Sequence, residues 1–291
     1  MATLASQFKK QLMNMNVRME PIDLRKLFRA KNPGIAKWIP QFVYNYIDRI
    51  VHIDETNEII AKYGHLRGAD FASAIVKHFN VKEDIIGLEN IPTEGRFIFA
   101  ANHPLGGFDA MLLMNEVTKH LGGEFRFLAN DILTAIKPLE DVFIPINKFG
   151  TKSRNAARLS QEAYDSNKQI LIFPAGLNSR KIDGKIQDTE WHKHFIQKSI
   201  EHKRDVILVH IDGKNSNFFY NLSNFRRAIG IKWNLEMFYL ADEFFKQRGR
   251  TFQLTFSKPI PYNTFDKSKS QKAWAKELRN RLFELPTKIK K

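Results

Sequence analysis

The chain has 291 residues, of which 46 are Lys or Arg and 31 are Asp or Glu, so its formal net charge is +15. Hydrophobic residues make up 43% of the chain and charged residues 26%, a composition that excludes a solvated polybasic tail and predicts a folded core. Cysteine is absent, which excludes disulfides, cysteine nucleophiles, thiolate zinc sites and iron–sulfur clusters. The excess of positive charge predicts an anionic partner: nucleic acid, a lipid surface, or an acidic protein or substrate.

Charged residues interrupt the first twenty positions of the chain, at Lys9, Lys10 and Arg18. These positions lack the uninterrupted apolar core of a secretory signal, so we expect no export signal. Apolar runs further along, such as residues 206–209, have the length of a strand. They fall far short of the ~20 residues that cross a bilayer, so we also expect no membrane span.

Residues 1–84 are predicted to form a helical N-terminal region, because Pro and Gly divide this part of the chain into helix-length pieces. Within it, residues 35–53 carry apolar side chains at three- and four-residue spacing, which predicts one apolar helix face. That face consists of Ile39, Phe42, Tyr46 and Ile50. Such a helix packs on its own protein or lies in a lipid interface, and Trp38 is compatible with the second arrangement.

From residue 85 to residue 291, short apolar runs alternate with helix-length segments. The predicted strands are residues 96–101, 125–129, 142–146, 169–173, 206–211 and 251–256. The predicted helices are residues 108–121, 153–166, 191–202, 235–247 and 270–285. This alternation is typical of an α/β domain whose central, largely parallel sheet is covered by helices on both faces.

The stretch FIFAANHPLGGFDAMLL, residues 97–113, contains the most informative loop of the chain. An apolar strand leads to His103, a Gly106-Gly107 turn follows, and Asp109 falls in the first turn of the next helix. In open α/β sheets, ligands bind beyond the carboxyl ends of the strands. The Asp109 carboxylate is suited to accept the Nδ1 proton of His103 and leave Nε2 as a base. An ordinary helix cap and an ordinary loop histidine fit the same spacing.

A second strand leads into a polar loop at ILIFPAGLNSRK, residues 170–181. The strand ends in Pro-x-Gly and is followed by polar and basic residues suited to an anionic group. An ordinary solvated turn also explains Asn178, Ser179 and Arg180. Two junctions of this kind in one α/β chain predict a single shared site.

Together, NHPLGGFD and FPAGLNSR resemble the motifs of the glycerolipid acyltransferase family, the lysophospholipid acyltransferases typified by 1-acylglycerol-3-phosphate acyltransferase. That family is marked by an NHxxxxD motif and a downstream FPEGTRS motif. VFIPINKFGTKSRNA is similar to the family's second block and TFQLTFSKPIPYNTF to its closing strand, so the resemblance covers roughly residues 85–265. NHPLGG and FPAG are similar to a bacterial branch that includes hemolysin-type and aminolipid O-acyltransferases.

The resemblance implies transfer of a fatty acyl group from acyl-CoA or acyl carrier protein to the hydroxyl of a lysolipid, without a cofactor or metal. It implies that His103 removes the hydroxyl proton as the oxygen attacks the thioester carbonyl, and that Asp109 orients the imidazole and stabilises its charge. No covalent acyl-enzyme is expected. The implied substrate-binding residues are Asn102, Gly106, Gly107, Lys148, Lys152, Arg154, Pro174, Gly176, Asn178, Ser179 and Arg180.

Three departures from the family pattern bear on the acceptor. Five residues separate His103 from Asp109, where the family has four. The family's third-block Glu is Ala175 here and its Arg is Asn178, and Asn147 stands where the second block has an arginine. Because the family holds the glycerol phosphate with these blocks, the departures favour an acceptor without that phosphate, such as a lyso-aminolipid of the N-acyl amino acid type.

The positive charge then predicts peripheral binding to the cytoplasmic face of the inner membrane, and attraction of an acidic carrier protein or the phosphates of CoA. A catalytically degenerate lipid-binding module is an alternative, because the family's Glu and Arg are missing. A basic nucleic-acid-binding protein is an alternative of another class, but RRM, KH and zinc-finger patterns are absent, so we expect no nucleic-acid partner. The absence of a GxSxG elbow argues against a serine hydrolase.

Overall fold

The structure is a computed structural model that describes residues 40–122, 124–129, 136–145, 152–231 and 234–289. The chain divides into two compact units, Met1–Arg67 and Gly68–Lys291. The first unit thus ends at Arg67, whereas the sequence predicted a boundary after residue 84. Residue 84 lies inside strand β1 (Lys82–Ile86). Helix α3 (Gly68–His78) belongs to the second unit because it packs on helix α4 (Gly107–Leu121).

The described part of the first unit consists of two helices, α1 (Gln41–Val51) and α2 (Ile53–Tyr63). The expectation of one helix through residues 35–53 was wrong at its C-terminal end, because His52 adopts a left-handed conformation (φ 50°, ψ 53°) and separates α1 from α2. Phe42, from the predicted apolar face, is 72% exposed. Ile39 and Trp38 lie outside the described residues.

The second unit is built on a seven-stranded sheet in the order β1-β9-β8-β2-β5-β3-β4. Its other strands are β2 (Phe97–Ala101), β3 (Phe125–Ala129), β4 (Phe143–Pro145), β5 (Gln169–Ile172), β8 (Asp205–Asp212) and β9 (Thr251–Phe256). Strands β8 and β9 pair antiparallel, and all other neighbours in this sheet pair parallel. A separate antiparallel hairpin, β6 (Arg180–Ile182) and β7 (Lys185–Gln187), follows β5.

Helices cover both faces of this sheet, which confirms the predicted α/β architecture. The remaining helices are α5 (Lys152–Asp165), α6 (His194–His202), α7 (Asn217–Ala228), α8 (Leu240–Phe245) and α9 (Gln271–Ile289). On one face, Ile98, Ile170 and Val206 share a buried core with α5, α6 and α9. Side chains alternate along a strand, so the intervening Phe99 and Ile207 point to the opposite face and are also fully buried. In the part of the chain that the structure describes, no helix is long and apolar enough to span a bilayer.

Several predicted boundaries differ from the observed ones for identifiable reasons. Helix α6 starts at His194 rather than at residue 191, because the buried Trp191 donates its indole N–H to Asp188 and anchors the preceding loop. The helix predicted over residues 235–247 is a 3-10 helix, Leu235–Tyr239, that continues into α8. Strand β1 was not predicted, and neither was α7.

Candidate functional site

The loop between β2 and α4 carries the central residues of the candidate site. Strand β2 is buried along its whole length and ends at Ala101, and α4 starts at Gly107. Gly106, the residue before the helix, has φ 78° and ψ −110°, a conformation that residues with a Cβ rarely adopt. A Cβ at Gly106 would lie 2.8 Å from Nδ2 of Asn178. Glycine therefore makes both the turn and this close approach possible.

Within this loop, His103 Nδ1 lies 2.9 Å from Asp109 Oδ2. The Asp109 side chain is fully buried and that of His103 is 18% exposed. An ionised carboxylate only accepts hydrogen bonds, so Nδ1 carries the proton and Nε2 is left with its lone pair. The backbone N–H of Leu105 donates to the same Oδ2 at 2.9 Å. The residue added between His103 and Asp109, relative to the family spacing, is thus accommodated without separating the pair.

Two further contacts hold the histidine. Its ring stacks on Phe173, with the ring centroids 4.0 Å apart and the planes at 16°. Its backbone N–H donates to Oδ1 of Asp188 at 3.2 Å. Asp188 also accepts the Ser179 hydroxyl at 2.6 Å and the Trp191 indole N–H at 2.9 Å. Burial raises the pKa of Asp188 despite these hydrogen bonds.

The loop after β5 lies directly against the His103 loop. The backbone N–H of Ser179 donates to the His103 carbonyl at 2.8 Å. Pro174 is buried, whereas Gly176 is exposed and has φ 65°. Asn178 is buried, and its Nδ2 has no hydrogen-bond partner among the described residues.

Asn102 does not point to an open surface. Its amide nitrogen donates to the Ile211 carbonyl at 2.9 Å, and its amide oxygen accepts the Ile211 N–H at 2.7 Å. Both hydrogen bonds are buried, so this side chain ties the end of β2 to β8.

Arg180 is likewise buried, and its charge is already paired. It donates to Glu236 Oε1 at 3.1 Å and to the Asn178 carbonyl at 3.0 Å. Glu236 also accepts from Arg226, at 2.5 Å to Oε2 and 2.8 Å to Oε1. Burial alone would raise the pKa of Glu236, but the hydrogen bond from Arg226 and the charge of Arg180 hold it below its usual value. Arg180 therefore cross-links the chain in this structure rather than facing solvent.

The basic residues predicted from the second block are not brought to this site by the described structure. Lys148 lies outside the described residues, and Lys152 begins α5 without a described side chain. Arg154 is exposed on α5.

A cavity of about 510 Å³ adjoins the loop between β2 and α4 on the β8 side. Asn102, Pro104, Ser179, Ile186, residues 210–214, residues 250–252 and Phe283 line it. Two of the lining residues, Lys214 and Arg250, are exposed cations. Burial lowers the pKa of His210 to about 4, so this lining imidazole is neutral at physiological pH.

Sequence reasoning missed Asp188 and Glu236. Asp188 is 85 residues from His103, and Glu236 is 56 residues from Arg180. For Glu236 the local signal was its position within an otherwise apolar and aromatic segment, LEMFY, whereas the segment around Asp188, DTEW, carries no such signal.

Comparisons with known proteins found a matching family model, similar proteins and a similar solved structure. The family model described as Acyltransferase matches residues 26–288. The chain is 44% identical over 264 residues to a lyso-glycine lipid O-acyltransferase of Bacteroides thetaiotaomicron, covering 91% of this chain and 97% of that protein. It is also 44% identical, over 264 residues, to a protein of the same name from Phocaeicola vulgatus, covering 91% of this chain and 95% of that one. Among solved structures, the 1-acyl-sn-glycerophosphate acyltransferase PlsC of Thermotoga maritima is similar with a TM-score of 0.47 and 18% identity, over 84% of this chain and 94% of that one.

Proposed function

The chain belongs to the acyltransferase family, and from that premise we propose that it transfers a fatty acyl group from a thioester to the hydroxyl of a lyso-glycine lipid. The observation that carries this proposal is the pairing of His103 Nδ1 with the buried Asp109 carboxylate at 2.9 Å. The pair lies beyond the carboxyl end of a buried strand, where α/β proteins place their reacting groups.

The reaction needs one base and no enzyme nucleophile. Nε2 of His103 takes the proton of the lipid hydroxyl while that oxygen attacks the thioester carbonyl. The new C–O ester bond forms and the C–S bond breaks, and the proton held on Nε2 passes to the departing thiolate. Asp109 stabilises the imidazolium in between, because its buried carboxylate faces Nδ1. General-base assistance of this kind is worth about 100- to 10,000-fold in rate.

The acceptor is proposed from the relatives and from the third motif. Both relatives are named lyso-glycine lipid O-acyltransferases. In this chain the neutral Asn178 stands where the family has an arginine, and its buried Nδ2 lies next to Gly106 without a partner in the described structure. The charge of the nearby Arg180 is taken up by Glu236. A neutral donor beside a cation that is already paired suits an uncharged amide or ester oxygen better than a phosphate dianion.

The acyl donor is proposed to be acyl-CoA or acyl carrier protein, with no cofactor or metal. The 510 Å³ cavity supports an anionic donor, because its two exposed cations, Lys214 and Arg250, outnumber its one exposed carboxylate, Asp212. Pro104, the residue next to His103, also lines it. We place the reaction at the cytoplasmic face of the inner membrane, where a net charge of +15 favours anionic lipids.

A comparison of acceptors tests the proposal. Purified protein is given one acyl-CoA or acyl carrier protein donor and, separately, a lyso-glycine lipid and lysophosphatidic acid, and diacylated products are measured by mass spectrometry. We expect product from the glycine lipid and at least ~10-fold less from the phosphate lipid, since a buried amide does not replace a guanidinium. A preference for lysophosphatidic acid would reject the acceptor, and no product with either lipid would favour the lipid-binding module.

A further inference from the structure

Helix α7 carries a row of apolar side chains on its exposed surface, in addition to the apolar side chains that it buries. Phe218, Leu222, Phe225 and Ile229 follow one another at spacings of four, three and four residues, so they lie along one side of the helix. Phe218 is 50% exposed, Phe225 63% and Ile229 54%. Phe219, which follows Phe218 and faces the core, is fully buried. The core of the second unit therefore does not account for the outer row.

The 3-10 helix Leu235–Tyr239 extends this row, because it packs against α7 and exposes further apolar side chains. Met237 is 36% exposed and Phe238 is 69% exposed. The ring of Phe218 meets that of Tyr239 edge-on, with centroids 4.9 Å apart, and joins the two elements. We call the following seven residues the apolar surface: Phe218, Leu222, Phe225, Ile229, Ile231, Met237 and Phe238.

Large apolar side chains concentrated in this way are uncommon on the free surface of a soluble monomer and indicate an interaction site. Exposed apolar residues are scattered singly elsewhere in the second unit, as at Ile200 on α6. Here they fall within one stretch of about twenty residues on two packed elements.

Two sets of contacts connect the elements that carry the apolar surface to the loop between β2 and α4, which holds His103. The first is the buried network in which Glu236, on the 3-10 helix, joins Arg226 of α7 to Arg180. Arg180 immediately follows Ser179, whose N–H is bonded to the His103 carbonyl.

The second set comes from α8, which continues directly from the 3-10 helix. A Cβ at Gly106 would lie 3.0 Å from Leu240 Cδ2, and one at Gly107 would lie 3.2 Å from Phe244 Cδ2. The elements that carry the apolar surface, and the helix that follows them, thus contact the loops that hold His103.

The chemistry of the surface fits a lipid bilayer. Helix α7 contains two arginines and no acidic residue. Arg226 is buried in the network, whereas Arg227, two residues after Phe225, is exposed. Aromatic and aliphatic side chains next to cations are typical of segments that lie in the interface of an anionic membrane.

Resting on the proposed function, we propose that the apolar surface docks on an anionic bilayer and presents the His103 loop to a lipid acceptor within it. A lysolipid keeps its acyl chain in the membrane and offers its hydroxyl at the interface. A docking surface that is packed against the loops around His103 brings Nε2 to the depth of the lipid hydroxyl. The lipid then does not have to leave the membrane to react.

Flotation with vesicles tests this surface. Phe225→Ser and Phe238→Ser are combined in the full-length protein, because both residues are exposed and their loss leaves the core intact. With vesicles of phosphatidylcholine and phosphatidylglycerol in equal parts, we expect the double variant to bind at least ~10-fold more weakly than the unaltered protein. Ile200→Ser, at an exposed apolar residue on α6, is the control and is expected to bind normally.

Activity measurements separate this proposal from the proposed function. With acceptor and donor presented in detergent micelles, the double variant is expected to retain full acyl transfer, and with vesicles to lose it in parallel with binding. Unchanged flotation of the double variant would overturn the docking surface while leaving the acyl transfer untouched. Loss of a dimer in size-exclusion chromatography, without a change in flotation, would assign the surface to a second copy of the chain instead. Weaker flotation in a protein without activity on any lipid would support the surface and reject the proposed function.

Discussion

The carboxylate of Asp188 accepts the backbone N–H of His103, and the two groups come from residues 85 positions apart. The same oxygen accepts the Ser179 hydroxyl, and the other oxygen accepts the Trp191 indole. One buried carboxylate thus holds the backbone of His103, the neighbouring strand-end loop and the start of the segment that leads into α6.

Replacing Asp188 by Asn is therefore expected to misplace the base. One acceptor oxygen becomes an NH₂ donor that faces other donors, which costs about 1–3 kcal/mol of unfolding free energy. Acyl transfer should fall through kcat rather than through KM, since Asp188 positions the base without being the base. Asp183→Asn, on the exposed β6–β7 turn, is the control. A variant with normal kcat would show that Asp188 has only a structural role.

His103→Ala is predicted to reduce acyl transfer by about 100- to 10,000-fold, because the general base is removed. Asp109→Asn should lose at least ~100-fold, since an amide nitrogen facing Nδ1 favours the tautomer with the proton on Nε2. Product formation is measured by mass spectrometry, and circular dichroism verifies the fold of each variant. Full activity of a folded His103→Ala protein would refute the catalytic assignment.

Gly106→Ala is expected to lower the unfolding free energy through two separate effects, backbone strain and a steric contact. Its φ of 78° is strained for any residue with a Cβ, and the added Cβ meets Nδ2 of Asn178. Gly184 has φ 77° on the β6–β7 turn and nothing within 4 Å of a Cβ, so Gly184→Ala reports the backbone strain alone. We expect a loss of about 1 kcal/mol in unfolding free energy for Gly184→Ala and a larger loss, with reduced activity, for Gly106→Ala. Equal losses would mean that Asn178 moves aside freely.

Glu236→Gln should strongly destabilise the second unit. It removes the one carboxylate that pairs Arg180 with Arg226 and leaves two buried arginines without a counter-charge, at a cost of about 3–5 kcal/mol. Glu162→Gln breaks an exposed ion pair with Arg158 and is expected to cost less than about 1 kcal/mol. Urea unfolding measures both variants. Similar values for the two would show that the buried network contributes no more than a surface pair.

The buried imidazole of His210 is expected to make the stability of the fold sensitive to acid. Burial lowers its pKa from 6.5 to about 4, so between these values the unfolded chain binds a proton that the folded chain does not. The stabilisation is therefore present above pH 6.5 and is lost as the pH falls towards 4, by at most about 3 kcal/mol. His210→Asn should flatten the fall in unfolding free energy between about pH 7 and about pH 4.5. An unchanged slope in His210→Asn would contradict the lowered pKa.

The sequence predicted most of the sheet because its central strands are continuous apolar runs, and β3 and β9 were placed to the residue. Strand β1 was missed since KEDII contains three charged residues. It pairs on one side only, at the edge of the sheet, where charges remain in solvent. Helix α7 was missed because apolar residues occur on two of its sides, which hides the usual amphipathic period.

His103 and Asp109 were identified because they lie six positions apart in a recognisable motif. Their neighbours were not identified, because no pattern in one sequence joins residues whose contact depends on the β6–β7 hairpin or on α7. Arg180 illustrates this limit. Its position after the third motif indicated an anion site, yet the fold places Glu236 against it.

The antiparallel pairing of β8 with β9 affects how the chain can vary. Strand β9 runs antiparallel beside β8, with Asp212 opposite Gln253. The connection between the two strands therefore leaves and re-enters the sheet at the same end of its strands. The His103 loop lies at the same end of the sheet, because it follows the neighbouring parallel strand β2. Helix α7, the 3-10 helix and α8 therefore form one insertion whose two ends meet at the sheet, so a change in the length of this insertion would leave the register of β8 and β9 intact.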